Sequence, residues 1–523
     1  MAKRHPPQPL PETREELHQV EWDLVFGDSL CKGTQEGALR YIYTECETFS
    51  EAIKPRHRII MGRQGSGKSS LVKRIMLGTE YDFKIRCKKN DLIRWIGNSI
   101  PESLSSEIPV DSYVDECNSF YWLLIFEKIQ EHNSDQKEIG RFLSSVDSTD
   151  ESILERWSST NMASRNISIS IAAGVISGFV RSNKSSFDKA KVEAISFLKG
   201  KKLVILIDSL EDYTFRTEHQ QKVFAALLLS AVGFGGNNSV VIKCFLPSES
   251  YTQLERYAVN WGKINQRITF LRWKPEELLV MLCKRLAFGL YRNGKSDYLD
   301  LSELDSIDSA LSFWKQYFPP RITNEAFDGI EEPTVHYILR HTQLTPRQSI
   351  QLCNSIVDEA SETFPSEIIP VSKIRDGIEK CERQLCKEVF STFKYIYPSA
   401  EDFCSENLQD LAASFRITSI KSDVYYDIAD IERYLPYKKD YELLKRMLFE
   451  LGIVGVKNTV DSSLSSTYNF AQFEPNQDTR LNPNKNDDLL VHPMFIHKIN
   501  FTRDKSVCSK PICSVQMSGL TVE

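Results

Sequence analysis

The run Gly62-Arg63-Gln64-Gly65-Ser66-Gly67-Lys68-Ser69, with Ser70 beside it, meets every position of the pattern GxxxxGK[ST]. The chemistry follows from the residue types. Gly62, Gly65 and Gly67 let the backbone curl so that successive N–H groups converge on one point, where the N-terminus of the next helix adds partial positive charge. Lys68 adds a point charge for phosphate oxygens, and the Ser69 hydroxyl suits Mg²⁺, a hard cation that takes oxygen ligands. These residues point to ATP or GTP with Mg²⁺. Gly-rich loops match parts of the pattern by chance, but here the match is complete. It follows the apolar run Ile59-Ile60-Met61 and precedes Leu71-Val72-Lys73-Arg74-Ile75-Met76.

A second element with chemistry lies far downstream. Lys201-Lys202-Leu203-Val204-Ile205-Leu206-Ile207-Asp208 is an apolar run ending in a carboxylate, as expected of a buried parallel strand whose C-terminal end reaches a metal. Asp208 is the metal candidate beside Ser69. The next residues, Ser209-Leu210-Glu211-Asp212, are acidic, and Glu211 and Asp212 are the candidates to orient an attacking water. Ser248 or Glu249 is placed to sense a γ-phosphate, with helix capping as the plain alternative for Ser248. Arg267 and Arg272 flank an expected strand and are finger candidates toward a neighbouring subunit, against the alternative of solvated surface arginines.

The elements that must position these groups read as an α/β domain. Expected strands cover residues 57–61, 82–87, 201–208, 239–246 and 267–272, with helices at 34–49, 115–132 and 221–232 between or before them. Strands separated by helices imply a parallel sheet with right-handed crossovers and a ligand at its C-terminal edge. The stretch from about 90 to 195 exceeds a minimal phosphate-loop domain and reads as a helix-rich insertion. From residue 275 the texture turns helical, with helices expected at 276–290, 303–317, 332–341 and 346–360 as a lid. Beyond 371, helices at 374–393, 407–415 and 440–451 lead into strands at 453–457 and 467–473. That is the order of a winged helix, closed by residues 489–495. The organisation is then a leader (1–21), a phosphate-loop domain (22–274), a lid (275–370), a winged-helix-like domain (371–502) and a flexible tail (503–523).

Composition bounds the rest. A chain of 523 residues exceeds one core, at ~100–200 residues per domain. Its net charge of −6 argues against wholesale coating of nucleic acid. Twelve cysteines without a CxxC pair argue against a zinc ribbon and for a free-thiol, cytoplasmic protein. The basic N-terminus has no apolar core behind it and is not a secretory signal. The apolar stretch 167–180 is shorter than the ~20 residues of a membrane span, and its Ile/Ser alternation fits a strand or hairpin better.

The chain resembles the bacterial phosphate-loop ATPases of defence loci, relatives of the STAND and KAP groups within the AAA+-like class. The resemblance is carried by Val25-Phe26-Gly27-Asp28, by residues 62–69, by 203–212 and by Lys243-Cys244-Phe245-Leu246-Pro247-Ser248. It is extended by Trp273-Lys274-Pro275-Glu276-Glu277-Leu278 and Leu344-Thr345-Pro346-Arg347. It spans roughly residues 22–360. It implies ATP hydrolysis in a nucleotide-controlled switch and a phosphate-reaching role for Arg347, against the alternative of a surface salt bridge; the lack of a nuclease, protease or deaminase constellation points to an effector that is a separate protein chain, and the finger candidates point to a homo-oligomer. One position departs from the family: the second acidic residue that usually follows the metal-associated Asp is here Ser209. The competing reading is an origin-recognition-like ATPase that grips DNA through its winged helix. The third helix of that region carries Lys445 and Arg446 but also Glu442 and Glu450, so protein contact is favoured over nucleic acid.

Overall fold

The computed structural model describes residues 24–29, 42–88, 109–147, 183–208, 217–234, 239–257, 261–295, 301–327, 329–409, 411–459, 466–473, 487–499 and 510–520. The 167–180 segment lies outside them. The chain forms two compact units: residues 48–63 with 68–271, and residues 1–47 with 64–67 and 272–523. The tip of the phosphate loop, residues 64–67, thus groups with the C-terminal part of the chain.

The sheet unit is mixed α/β. Its elements run α1 (Glu47–Ile53), β1 (Ile59–Gly62), α2 (Lys68–Leu77), β2 (Phe83–Lys88), α3 (Val110–His132), α4 (Lys137–Asp147), α5 (Lys184–Phe197), β3 (Leu203–Asp208), α6 (Glu218–Gly233), β4 (Val240–Pro247), α7 (Tyr251–Tyr257), α8 (Trp261–Asn265) and β5 (Ile268–Phe270). All five strands are parallel, in the order β2-β3-β4-β1-β5. Every residue of β1, β3 and β4 is buried, which is why these strands read as unbroken apolar runs. Helices α3 to α5, in the stretch expected as an insertion, pack their aromatic faces into the sheet core through Phe120, Tyr121, Phe126, Phe142 and Phe187. Helix α1 begins later than the expected 34–49 helix, of which residues 30–41 lie outside the description.

Lys243 is a fully buried charge in this unit. Lys243, in the middle of β4, donates from Nζ to the carbonyls of Ala52 (2.7 Å), His57 (2.8 Å) and Lys54 (3.0 Å). It closes the C-terminal end of α1 and the turn that feeds β1, carbonyls that a helix end leaves without partners. Burial, with Arg58 nearby, pulls this ammonium down to about 7.

The C-terminal unit continues with α9 (Pro275–Arg292), α10 (Ile307–Trp314), β6 (Arg321–Asn324), β7 (Ile330–Pro333), α11 (Thr334–Leu339), α12 (Pro346–Glu359), α13 (Val371–Phe393), α14 (Ala400–Asn407), β8 (Ser414–Arg416), α15 (Leu435–Lys439), α16 (Tyr441–Glu450), β9 (Val454–Asn458), β10 (Asn469–Gln472), β11 (Asp488–Val491), α17 (Pro493–Ile496) and β12 (Ile512–Ser514). Helices α12 and α13 pack so closely that a Cβ on Gly377 would stand 2.6 Å from the Ile356 Cα. The expected 303–317 helix starts only at Ile307, where the Ser306 hydroxyl accepts the Ser309 N–H and caps it. The expected 332–341 helix is preceded by an antiparallel hairpin, β6–β7, in a region read as helix alone. The expected 407–415 helix is instead α14, one segment earlier, followed by β8.

The order α14, β8, a helical stretch over 417–425, α16, β9 and β11 is winged-helix-like, and β11 pairs antiparallel with both β8 and β9. The two-stranded ribbon expected there is part of a five-stranded sheet, β12-β10-β9-β11-β8. Its outermost strand, β12, comes from the stretch expected as a flexible tail. The physical reason is that β10 leaves an open edge on which Ile512, Cys513 and Ser514 pair in parallel.

The end of that segment is held by a histidine. His336 on α11 is 1% exposed, and its Nε2 lies 2.8 Å from the Leu520 carbonyl. Nε2 therefore carries the proton, and Nδ1 has no partner among the described residues. Burial drops this imidazole from 6.5 to about 4. Between those pH values the unfolded chain takes up a proton that the folded chain refuses, so stability falls as pH drops through the window. A drop of that size corresponds to roughly 3 kcal/mol, a little over half of it lost by pH 5. Urea denaturation of wild type and His336→Gln, which retains a donor, should show the wild type losing about 2 kcal/mol more between pH 7 and pH 5. Parallel losses in the two proteins would remove His336 as the cause.

Candidate functional site

Strand β1 ends at Gly62, and the loop that follows turns through Gly65 (φ +86°) and Gly67 (φ +95°) before α2 starts at Lys68. Gly62 is an ordinary strand residue. Only the other two glycines are needed for left-handed backbone.

A loop that presents N–H groups to an anion must satisfy its carbonyls elsewhere. Here the partners are identifiable. Lys68 Nζ donates to the Gly62 carbonyl (2.8 Å) and the Arg63 carbonyl (3.1 Å). Within the C-terminal unit, the Arg347 backbone N–H donates to the Gly65 carbonyl (3.3 Å), and the buried Trp273 indole N–H donates to the Ser66 carbonyl (2.8 Å). In a trans peptide the C=O and the following N–H point in opposite directions. Anchoring the Gly65 and Ser66 carbonyls thus aims the N–H groups of Ser66 and Gly67 the other way, into the cradle. Gln64 adds a further tie, accepting the Thr392 hydroxyl of α13 through its side-chain oxygen.

Arg347 stands at the start of α12, after Leu344 in left-handed backbone (φ +51°) and the cap residue Thr345, whose hydroxyl accepts the Gln348 N–H. A Cβ on Gly65 would lie 2.7 Å from the Arg347 Cβ. The Arg347 Nε and the Ser66 hydroxyl are both buried without a hydrogen-bond partner among the described residues. Two unsatisfied donors at the tip of a loop with turned-in N–H groups fit an anion with several oxygens.

At the other strand, Asp208 ends β3, 4% exposed, with its Oδ1 3.4 Å from the Ser69 hydroxyl. Strand β4 separates β1 from β3, a gap of two strand spacings or about 9.5 Å that Ser69 at the start of α2 closes. A hydroxyl and a carboxylate side by side are hard oxygen donors. They fit Mg²⁺, which takes one or two protein oxygens and completes its shell with phosphate and water. Among the described residues no group of three or more His, Cys, Asp or Glu side chains could hold a metal ion, and no helix is long and apolar enough to cross a membrane.

Of the residues expected from sequence, those at 62–70 form the loop, and Ser69 and Asp208 meet. Ser209, Glu211 and Asp212 lie outside the described residues. Ser248 and Glu249 sit in a single turn after β4, where the Ser248 hydroxyl approaches its neighbour's carboxylate at 3.5 Å. Arg267 precedes β5 and is exposed at the sheet edge opposite the loop, because β5 runs parallel to β1. Val25-Phe26-Gly27-Asp28 is bound within the C-terminal unit: Asn354 bridges the Phe26 N–H and the Gly27 carbonyl, and Arg285 donates to the carbonyls of Phe26 and Asp28. Sequence reasoning gave no role to Trp273 or Arg86. The first had a usable signal, a tryptophan directly before the Lys274-Pro275 helix start. The second, inside a strand, had none.

No family model matches the chain, and no curated protein matches it. Solved structures do overlap with it. The Aeropyrum pernix ORC2 protein in its ADPNP-ADP complexes is 11% identical, with 85% of this chain and 86% of that one covered at a TM-score of 0.34. The ADP form of the same protein gives 10% identity, 84% and 83% coverage and a TM-score of 0.28. Drosophila ORC bound to DNA gives 10%, 95% and 94%, and 0.25. Overlap at these scores assigns neither fold nor function. The fold rests on the chain's own geometry: a parallel five-stranded α/β sheet with the glycine-rich loop after β1, followed by helices and a winged-helix-like region.

The loop's tightness is testable by itself. Gly65→Ala must accommodate both a positive φ and a Cβ inside contact distance of Arg347, and should cost about 2 kcal/mol or more. Gly233→Ala, at the end of α6 with nothing within 4 Å of the new methyl, should be neutral or stabilising by up to ~1 kcal/mol. Thermal denaturation of the two variants checks the contrast, and equal midpoints would refute it.

Proposed function

We propose that this chain is an ATP-binding and ATP-hydrolysing phosphate-loop ATPase that works as a nucleotide-controlled switch. The observation that carries the reading is the loop, whose carbonyls are engaged by Lys68, Arg347 and Trp273 while Ser69 and Asp208 meet beside it. In this reading the residues at 62–70 bind the phosphates and Arg347 reaches them from the lid, residues 275–370. Ser69 and Asp208 hold Mg²⁺, which when bound neutralises charge on the phosphoryl oxygens. Glu211 or Asp212 orients the attacking water, since Ser209 has no carboxylate. An arginine such as Arg272 completes a neighbour's site in a homo-oligomer. The biological setting is antiphage defence or signalling in bacteria, with a separate effector chain and a cytoplasmic location. The motif resemblance supports it.

The experiment is calorimetry with ATP and Mg²⁺. Lys68→Ala should weaken binding by at least tenfold in a protein with unchanged circular dichroism, because the lost charge serves the ligand. Undiminished affinity would end the nucleotide reading. Phosphate release should fall by orders of magnitude in Glu211→Gln or Asp212→Asn, at tenfold per ~1.4 kcal/mol of barrier. Wild-type rates in both variants and in their combination would remove these residues from the mechanism.

A specific observation favours the second reading, DNA gripping by an origin-recognition-like ATPase. On α16 the ring of Tyr441 is flanked by two ammonium groups, Lys445 at 5.2 Å and Lys421 at 5.6 Å. Against it, Lys445 is paired with Glu442 at 2.9 Å. Fluorescence anisotropy with duplex DNA decides: if this face grips DNA, Lys421→Ala with Lys445→Ala should reduce the salt slope by about two. Absence of binding at low salt leaves the protein-effector switch.

A further inference from the structure

Asp208 has two carboxylate oxygens, and both are engaged. Oδ1 faces the Ser69 hydroxyl at 3.4 Å, and Oδ2 accepts a 3.0 Å bond from Nη2 of Arg86. Arg86 lies on β2, the edge strand whose neighbour in the sheet is β3, in register with Leu206, two residues before Asp208. The two side chains differ in exposure: that of Asp208 is 5% exposed and that of Arg86 is 42% exposed. A carboxylate so buried is costly without a countercharge, and the guanidinium supplies one. A divalent cation at the same carboxylate therefore meets a positive group already in place.

We infer that Arg86 is a positioning residue that acts as the built-in counter-ion of Asp208 and thereby sets the Mg²⁺ requirement for nucleotide binding. The inference rests on the phosphate-loop reading above and goes beyond it. It has two consequences of opposite sign. Without metal, Arg86 neutralises Asp208 and lowers its repulsion of nearby phosphate, so losing the guanidinium weakens nucleotide binding. With metal, Arg86 competes for the carboxylate, so losing it lets Mg²⁺ act at lower concentration. A residue that merely supports the strand would not shift these two quantities in opposite senses.

The test uses the full chain and a fluorescent N-methylanthraniloyl derivative of ADP, titrated in EDTA and across a Mg²⁺ series. Wild type is compared with Arg86→Gln, Asp208→Asn and the double variant, with circular dichroism as the check on folding. A half-exposed ion pair is worth up to roughly fivefold. Arg86→Gln should therefore bind two- to fivefold more weakly in EDTA and reach its Mg²⁺ midpoint at two- to fivefold lower concentration, and in the Asp208→Asn background it should change neither quantity. Arg86→Lys, which keeps the charge and loses the planar guanidinium, should fall between and serves if the glutamine variant does not fold. Unchanged values in Arg86→Gln, shifts of the same sign, or equal shifts in the Asp208→Asn background would overturn the counter-ion role. Failure of the wild type itself to bind the probe in any condition would instead overturn the nucleotide reading, and this inference with it.

Discussion

A loop that turns its N–H groups toward one point has to leave none of its carbonyls stranded, and that constraint organises much of this protein. Four carbonyls of the phosphate loop have identified partners: Gly62 and Arg63 on Lys68, Gly65 on the Arg347 backbone, Ser66 on Trp273. Peptide planarity converts those anchors into the direction of the opposite N–H groups. The chain around the loop can be read as the supply of those donors. Helix α2 begins at Lys68, Arg347 is in the first turn of α12, and Trp273 lies one residue before the start of α9, next to its cap residue Lys274.

Each unit also fixes its architecture with buried polar groups. In the sheet unit Lys243 gathers three carbonyls and ties the turn before β1 to the neighbouring strand β4. In the C-terminal unit Glu332, 0% exposed, accepts from Asn324 and faces Arg340, joining the β6–β7 hairpin to the end of α11. His336 then binds the last described residue, Leu520. Such groups are costly to bury, and removing one partner strands the other. They specify which segments meet in a way that apolar packing, being non-directional, does not.

The loop and the sheet were legible because both are local. A phosphate loop is a contiguous pattern of residue types, and strands buried on both faces are contiguous apolar runs. The expected strands at 82–87 and 239–246 match β2 and β4 to within a residue or so at each end. The misreadings share a cause. The β6–β7 hairpin is four polar-rich residues a side, stabilised by its own ladder and by the buried Glu332 of β7, which accepts from Asn324 of β6. Strand β12 has a three-residue signal and exists because β10 offers an edge. The 407–415 stretch carries apolar residues at helical spacing, yet Ser414–Arg416 is claimed by β11 as a strand.

The sequence by itself determined the glycine-rich loop after a buried strand, since glycines, a lysine and a serine at fixed spacing are a contiguous pattern, and it determined that an acidic strand end would accompany them. Tertiary structure alone decided which donors hold the loop open and which cation stands against Asp208. Trp273, Arg347 and Arg86 lie far in sequence from the atoms they touch. The motifs that include Trp273 and Arg347 did not say which loop carbonyl each would meet, and Arg86 stood in no motif, because a long-range hydrogen bond leaves no periodicity to read.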